Sequence, residues 1–430
     1  MVITMPEFTT SSAHAEHSHS SLLDSMTYAN EATYKQHIPA FLPMHNVIQN
    51  YAWGSTNSLQ SLFGFNNDKE EPQAEVWMGA HPNGCSYVDI DGQQHNLAEL
   101  IAKQPEQYLG KTTFEQFGEL PYLFKVLAAE KALSIQVHPS KRQAEAGFLK
   151  EQNQGTPFTA GNRNYKDPNH KPELVYALTP YQAMNGFRSL EEIIEYFAKL
   201  DISELAPIID HLINNQTDLG LSQFFSSLLT LDGKIKQRAI NKLIDKVSIV
   251  EEPVCSLISK LADQYPGDIG LFSPLILNVI TLQPGEAMFL DAQTPHAYIK
   301  GTGLEIMANS DNVLRAGLTP KYIDVEELIA CTRFEPKPLS SLKLSPTQSG
   351  DTLNYAIPVD DFKFSILSPT HPMELETRSG EILLAIDSPV NLQHTNGESC
   401  DLKPGQSVFI PACSERYTVK SAGRVARAFC

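Results

Sequence analysis

Two histidines, one glutamate and one glutamine are spaced so that short strands could bring them to one point. The stretch ALSIQVHPSKR carries Gln136 and His138 two positions apart. In it, Leu133, Ile135 and Val137 alternate with Ser134, Gln136 and His138. Strand side chains alternate faces, so the three polar residues share one face. That face either points at water, which needs no chemistry, or points inward and presents ligands to a metal. Glu173 opens another strand pattern, PELVYAL, just after NYKDPNHK, and His296 follows a Pro-Gly turn and a strand. Two imidazoles, a carboxylate and an amide oxygen make an N/O donor set that suits zinc and leaves a position for water or substrate. No thiolate accompanies them, which argues against a closed structural site. With Glu173 the only charged ligand, a divalent ion keeps net positive charge. That charge can polarise a carbonyl or hold an enediolate oxygen.

A second constellation lies in GLEIMANSDNVLRAGLTPKYID, which holds Glu305, Asp311, Asn312, Arg315 and Lys321. ANSDN reads as a turn that delivers Arg315 to a strand end or loop. An arginine fork binds a phosphate or an oxyanion, and a lysine adds a point charge. Lys125 and Lys171 are further candidates. Lys141 is expected to be solvated.

The elements that must position these residues follow from patterning. The chain has 430 residues, 42% hydrophobic and 19% charged, an ordinary globular composition with room for more than one core. Its net charge of −17 argues against nucleic acid as a partner, so any positive charge for an anionic substrate must be gathered locally. Six cysteines with no C-x-x-C pair read as free thiols of a cytoplasmic protein. There is no apolar run long enough to span a membrane and no secretory leader pattern, so no membrane partner is expected. Residues 1–38 are rich in Ser, Thr and His and read as a flexible N-terminal extension. His14, His17 and His19 fall within it.

From about 40 to 185 short strand patterns dominate. Over 187–268 the period changes to helical. SLEEIIEYFAKL puts Leu190, Ile193, Ile194, Phe197 and Leu200 on one stripe, and Ser189 with Glu192 forms a capping-box start. Strand patterning then returns. LQPGEAMFLDA, from Leu282, recurs as LKPGQSVFIPA, from Leu402, an offset of 120 residues. A Pro-Gly turn leading into an alternating strand resembles the hairpin of a double-stranded β-helix, the cupin barrel. The expected fold is therefore mainly β with a helical insertion: two cupin-like barrels plus an α-helical domain. The expected parts are a catalytic domain of 39–186 with 269–334, a helical insertion of 187–268, and a C-terminal cupin-like domain of 335–430. The second copy of the repeat lacks the histidine, so that last domain is expected to hold no metal ligands.

The stretches QNYAWGS, AEVWMGAHP, LPYLFKVLAAEKALSIQVHPSK, NYKDPNHKPEL and PHAYIKGTGLEIMANSDNVLRAGLTPKYID resemble the zinc-dependent type I phosphomannose isomerases. The resemblance runs from about residue 45 to the C-terminus. It implies one zinc per subunit on Gln136, His138, Glu173 and His296, and an active-site arginine at Arg315. It also implies pocket residues at Trp53, Lys125, Ser134, Lys171, Tyr298, Glu305 and Asp311. The implied reaction is the interconversion of mannose 6-phosphate and fructose 6-phosphate through a cis-enediol, connecting glycolysis to mannose metabolism and GDP-mannose supply. Such a reaction needs a base and a proton shuttle. Glu305, Lys171, Tyr298 and a water on the metal are the candidates, and the sequence does not rank them. Ser134 and Lys125 are expected to contact the phosphate, and the chain is expected to be a monomer. Two other readings use the same residues: an iron oxygenase on a cupin scaffold, testable by oxygen consumption, and a non-catalytic sugar-binding cupin.

Overall fold

A computed structural model describes residues 37–430 of the chain; residues 1–36 of the expected extension lie outside the described residues. The strand that decides the architecture is His296–Ala308, of 13 residues. Its second half lies between Tyr122–Ala129 and Glu173–Ala177. Its first half pairs instead with Tyr181–Phe187 and, at His296, with Ile135–Val137. The pairing shifts register between Tyr298 and Lys300, and Gly301 follows at φ 129°. A Cβ at Gly301 would lie 2.5 Å from the Pro180 carbonyl oxygen, so only glycine lets the strand fold from one layer into the other there. One strand thus delivers His296 from one layer and Glu305 from the other. Between the layers lies a core that includes Leu127, Val175, Ala183, Ile280, Met288 and Tyr298.

The two copies of the repeat build the same turn. Gly285 at φ 94° and Gly405 at φ 82° occupy the position where a Pro-Gly turn needs a left-handed residue. Gln283 N donates to the Glu286 carboxylate at 2.8 Å, and Lys403 N donates to the Gln406 amide oxygen at 2.8 Å. Beyond the turns run strands Ala287–Leu290 and Ser407–Ile410. In the C-terminal part a nine-stranded sheet faces a four-stranded one around Leu383, Leu392, Val408 and Tyr417. The N-terminal strand Leu42–His45 joins this nine-stranded sheet by pairing with Ser407–Ile410.

The chain is mainly β-sheet with a helical insertion, as expected, but the two expected barrels are not closed. Among the described residues the eleven-stranded sheet ends at Lys343–Leu344 and Val47–Gln49, and no pairing joins these edges. The repeat encodes local turns; closure depends on hydrogen bonds between distant edges, which no turn specifies.

Helix Leu190–Leu200 starts at the expected capping box and buries Ile193, Phe197 and Leu200. These side chains share a core with Ile135, Val137, Phe187 and Leu314. The helices therefore cover the apolar face of strand Ile135–Val137, and its polar face is turned away from them toward the two-layer interior. The polar face meets solvent only through a cleft, which Ser134 and Gln136 line. No helix among the described residues is long and apolar enough to cross a membrane, and the six cysteines are unpaired.

Candidate active site

Gln136 sits opposite both His296 and Arg315 in the strand register. His138 follows two residues later and is buried. Its Nδ1 lies 2.7 Å from the Asn312 carbonyl oxygen, which can only accept, so Nδ1 carries the proton. His296 is fixed in the same way by the Thr294 carbonyl at 2.9 Å. Both Nε2 lone pairs are thereby aimed at Glu173, at 3.3 Å from Oε1 for His138 and 3.4 Å from Oε2 for His296. The His138 Nε2 is buried and makes no hydrogen bond. Candidate ligand atoms of His138, Glu173 and His296 lie within 4.8 Å of one another. A buried, unpartnered imidazole nitrogen beside a carboxylate is costly unless a cation completes it. The donor set fits zinc.

The electrostatics agree. Burial pulls His138 down to about 4, so the ring is neutral and able to ligate. Burial pushes the Glu173 carboxyl up, but the Lys171 ammonium beside it outweighs this and holds it well below the usual range. Lys171 Nζ is 3.2 Å from Glu173 Oε1, and the Tyr298 hydroxyl donates to Oε2 at 3.2 Å.

Behind the ligands lies a second buried group. Lys125 Nζ contacts Glu305 at 2.8 Å and Glu75 at 3.8 Å, with all three side chains buried. Burial raises Glu305 toward the neutral form and Lys125 opposes it. The ammonium of Lys125 is therefore engaged by two carboxylates while it lines both the cavity and the outer cleft. Replacing Lys125 with Met leaves those carboxylates uncompensated, and a loss of about 3–5 kcal/mol in unfolding free energy is expected. Urea denaturation of the variant checks this, and unchanged stability would mean that the pair carries no net charge.

Ser134, Gln136, Lys171, Glu173, Tyr298 and Glu305 all line one inner cavity. It shares its walls with an outer cleft of about 540 Å³, a size suited to a small polar ligand. Trp53, stacked on Tyr51 at 5.7 Å, and Arg315 line that cleft. Asp311 lies there too, held by Asn83 at 2.9 Å and His81 at 3.4 Å. Arg315 and Lys321 make no ion pair with a carboxylate among the described residues. Arg315 pushes the Lys321 ammonium down, so the two cations feel each other. Most candidates from the sequence thus line this cavity and cleft; His138 lies buried beside them against Glu173, Asn312 is buried and fixes His138 through its carbonyl, and Lys141 lies elsewhere, exposed as expected. Sequence reasoning missed Glu75, whose signal was an acidic residue inside the apolar run AEVWMGA, and Tyr265, which sat in a segment that reads as helix packing.

Known proteins bear on this geometry. Residues 41–190 match the catalytic domain of type I phosphomannose isomerase, 188–277 its helical insertion domain, and 351–430 the mannose-6-phosphate isomerase cupin domain. The chain is 47% identical over 387 residues to mannose-6-phosphate isomerase of Escherichia coli (strain K12), covering 89% of this chain and 98% of that one. It is 36% identical over 411 residues to the Rattus norvegicus protein of the same name, covering 87% and 94%. A crystal structure of mannose 6-phosphate isomerase from Salmonella typhimurium, bound to substrate (F6P) and zinc, superposes with a TM-score of 0.87 at 45% identity. It covers 91% of this chain and 99% of that one.

Proposed function

The chain belongs to the type I phosphomannose isomerase family, and from that premise we propose that it interconverts mannose 6-phosphate and fructose 6-phosphate with one zinc per chain. The reaction is an aldose–ketose isomerisation through a cis-enediol, and it connects glycolysis with mannose metabolism and the supply of GDP-mannose. The observation that carries the reading is the His138–Glu173–His296 triad, with its unpartnered nitrogen, beside a cavity that shares its walls with a cleft lined by two cations without a carboxylate partner among the described residues.

Gln136, His138, Glu173 and His296 would hold the zinc, which when bound supplies Lewis-acid polarisation of the substrate oxygens. Glu305 moves the proton between the two substrate carbons. In support, it lines the ligand cavity, and burial raises its carboxyl above the ordinary range, which makes it a stronger base. Burial and the neighbouring carboxylates hold the Tyr298 hydroxyl well above its ordinary range, so it stays protonated and keeps the hydrogen bond that orients the Glu173 carboxylate. Lys171 serves the same side of the cavity as a cation. Arg315, with Lys321 on the same cleft wall, meets the phosphate or the enediolate charge, since neither cation has a carboxylate partner among the described residues. Ser134 offers its hydroxyl on the ligand face, with Trp53 and Asp311 shaping the cleft wall. Residues 39–186 and 269–334 form the catalytic part in this reading, 187–268 the helical part and 335–430 a part without metal ligands. The chain acts as a monomer in the cytoplasm.

The test is a coupled assay on mannose 6-phosphate with fructose 6-phosphate formation followed, before and after chelation and zinc re-addition. Activity lost to chelator and restored by zinc is expected; a zinc-loaded but inactive chain would refute the reading. Gln136→Ala removes a neutral ligand whose amide nitrogen is occupied by Ser134 Oγ at 3.3 Å. Zinc affinity is expected to fall by about 10–100-fold, with part of the activity regained at excess zinc. A titration that shows wild-type affinity would exclude Gln136 as a ligand.

A further inference from the structure

The turn that ends helix Pro253–Gln264 grips both walls of the cleft. Gln264 accepts a hydrogen bond from Ala132 N at 2.8 Å, and the Tyr265 hydroxyl donates to the Ala132 carbonyl at 2.5 Å. Ala132 leads into the stretch that carries Ser134, Gln136 and His138. Three residues on, Asp268 reaches the other wall. Its Oδ1 accepts from Gly270 N at 2.7 Å and Leu318 N at 2.8 Å, and its Oδ2 accepts from Thr319 N at 3.1 Å. Leu318 and Thr319 line the cleft and join Arg315 to Lys321.

This wall does not hold its shape unaided. The pairing of strand Leu314–Gly317 with Ile135–Val137 shifts register between Arg315 and Gly317. Gly317 then stands at φ 134° and Leu318 at φ 52°. A leucine in the left-handed region is strained and persists only where the surroundings impose it. The Asp268 carboxylate does so, by taking the amide hydrogens of Leu318 and the next residue. Gly270 packs against the same point, where a Cβ on it would fall 2.6 Å from Leu318 N.

We infer that Asp268, at the end of the helical insertion, is a positioning residue for the substrate cleft: it fixes the Leu318–Thr319 turn and so the separation and aim of Arg315 and Lys321. Asp268 does not touch the ligand cavity, and it acts through the backbone of the loop. The inference rests on the isomerase reading of the site.

The test compares wild type with Asp268→Ala, Asp268→Asn and Gly270→Ala, by steady-state kinetics, zinc content and melting temperature on the full chain. Asp268→Ala is expected to raise KM about tenfold or more at full zinc content, with kcat changed less than KM. Asp268→Asn keeps one acceptor oxygen and is expected to fall between wild type and Asp268→Ala. Gly270→Ala displaces the same loop directly, through a Cβ against Leu318 N, and is expected to raise KM as well, which keeps the test sound if the alanine at 268 misfolds. KM unchanged within about twofold in folded, zinc-replete variants would overturn the inference. So would losses in kcat that follow only zinc content or melting temperature. An inactive zinc-loaded wild type would instead refute the isomerase reading, so the two failures are distinguishable.

Discussion

Glu173→Gln is expected to abolish zinc binding and to lower turnover by on the order of 1,000-fold or more. The substitution keeps the shape of the side chain and removes the one charge among the four ligands. Glu173 is buried, and Lys171 and two imidazoles are arranged around its carboxylate. A neutral amide cannot answer the Lys171 ammonium, and its NH₂ group would turn a donor toward an imidazole nitrogen or the ion. Two readouts separate the metal from the fold. Zinc per chain should fall from about one to near zero in equilibrium dialysis. The melting temperature of the wild type should rise with added zinc, because an ion that binds only the native state stabilises it, whereas the variant should show no such rise. Near-stoichiometric zinc in the variant would remove Glu173 from the ligand set and leave the cavity without its carboxylate.

Arg315→Ala has the second largest expected effect. Arg315 lies half-buried on the cleft wall, directly opposite Gln136 in the strand register. Burial works against its charge, and no carboxylate among the described residues offsets that cost. A desolvated guanidinium without an anion is tolerated where substrate supplies one. Removal should lower kcat/KM by about 100- to 1,000-fold with zinc content unchanged. Arg315→Lys should recover only part of the loss, since a point charge does not reproduce the planar fork. If the loss lies in KM alone, Arg315 grips the phosphate. If it lies in kcat, Arg315 meets charge that develops during the reaction. Wild-type kinetics in the zinc-replete variant would exclude it from both roles.

The grouping of His138, Glu173 and His296 was legible because buried imidazole and carboxylate donors in strand-rich sequence are scarce. Gln136 and His138 share a face by strand alternation, and the Pro-Gly turn before His296 repeats at Leu402 with the same hydrogen bonds. The capping box at Ser189 and the stripe behind it were legible because each is decided within one helical turn. The ion pairs of Lys125 could not be read from the sequence, because its two partners come from separate strands, Glu75–Met78 and His296–Ala308. Asp268 was invisible as more than a helix end, since its partners Leu318 and Thr319 lie 50 and 51 residues away.

The sequence by itself determined the alternation, the turns, the helix caps and the set of groups able to hold a metal. These depend on steric and hydrogen-bonding preferences that reach only a few residues along the chain. The tertiary structure alone decided that strand Ile135–Val137 faces helices on one side and the cavity on the other. It also decided that the sheets stay open, that Lys125 is claimed by two carboxylates, and that the helical insertion clasps the cleft. Each of those outcomes depends on which distant backbone and side-chain groups meet once water is excluded, and the spacing of residues along a chain carries no record of that.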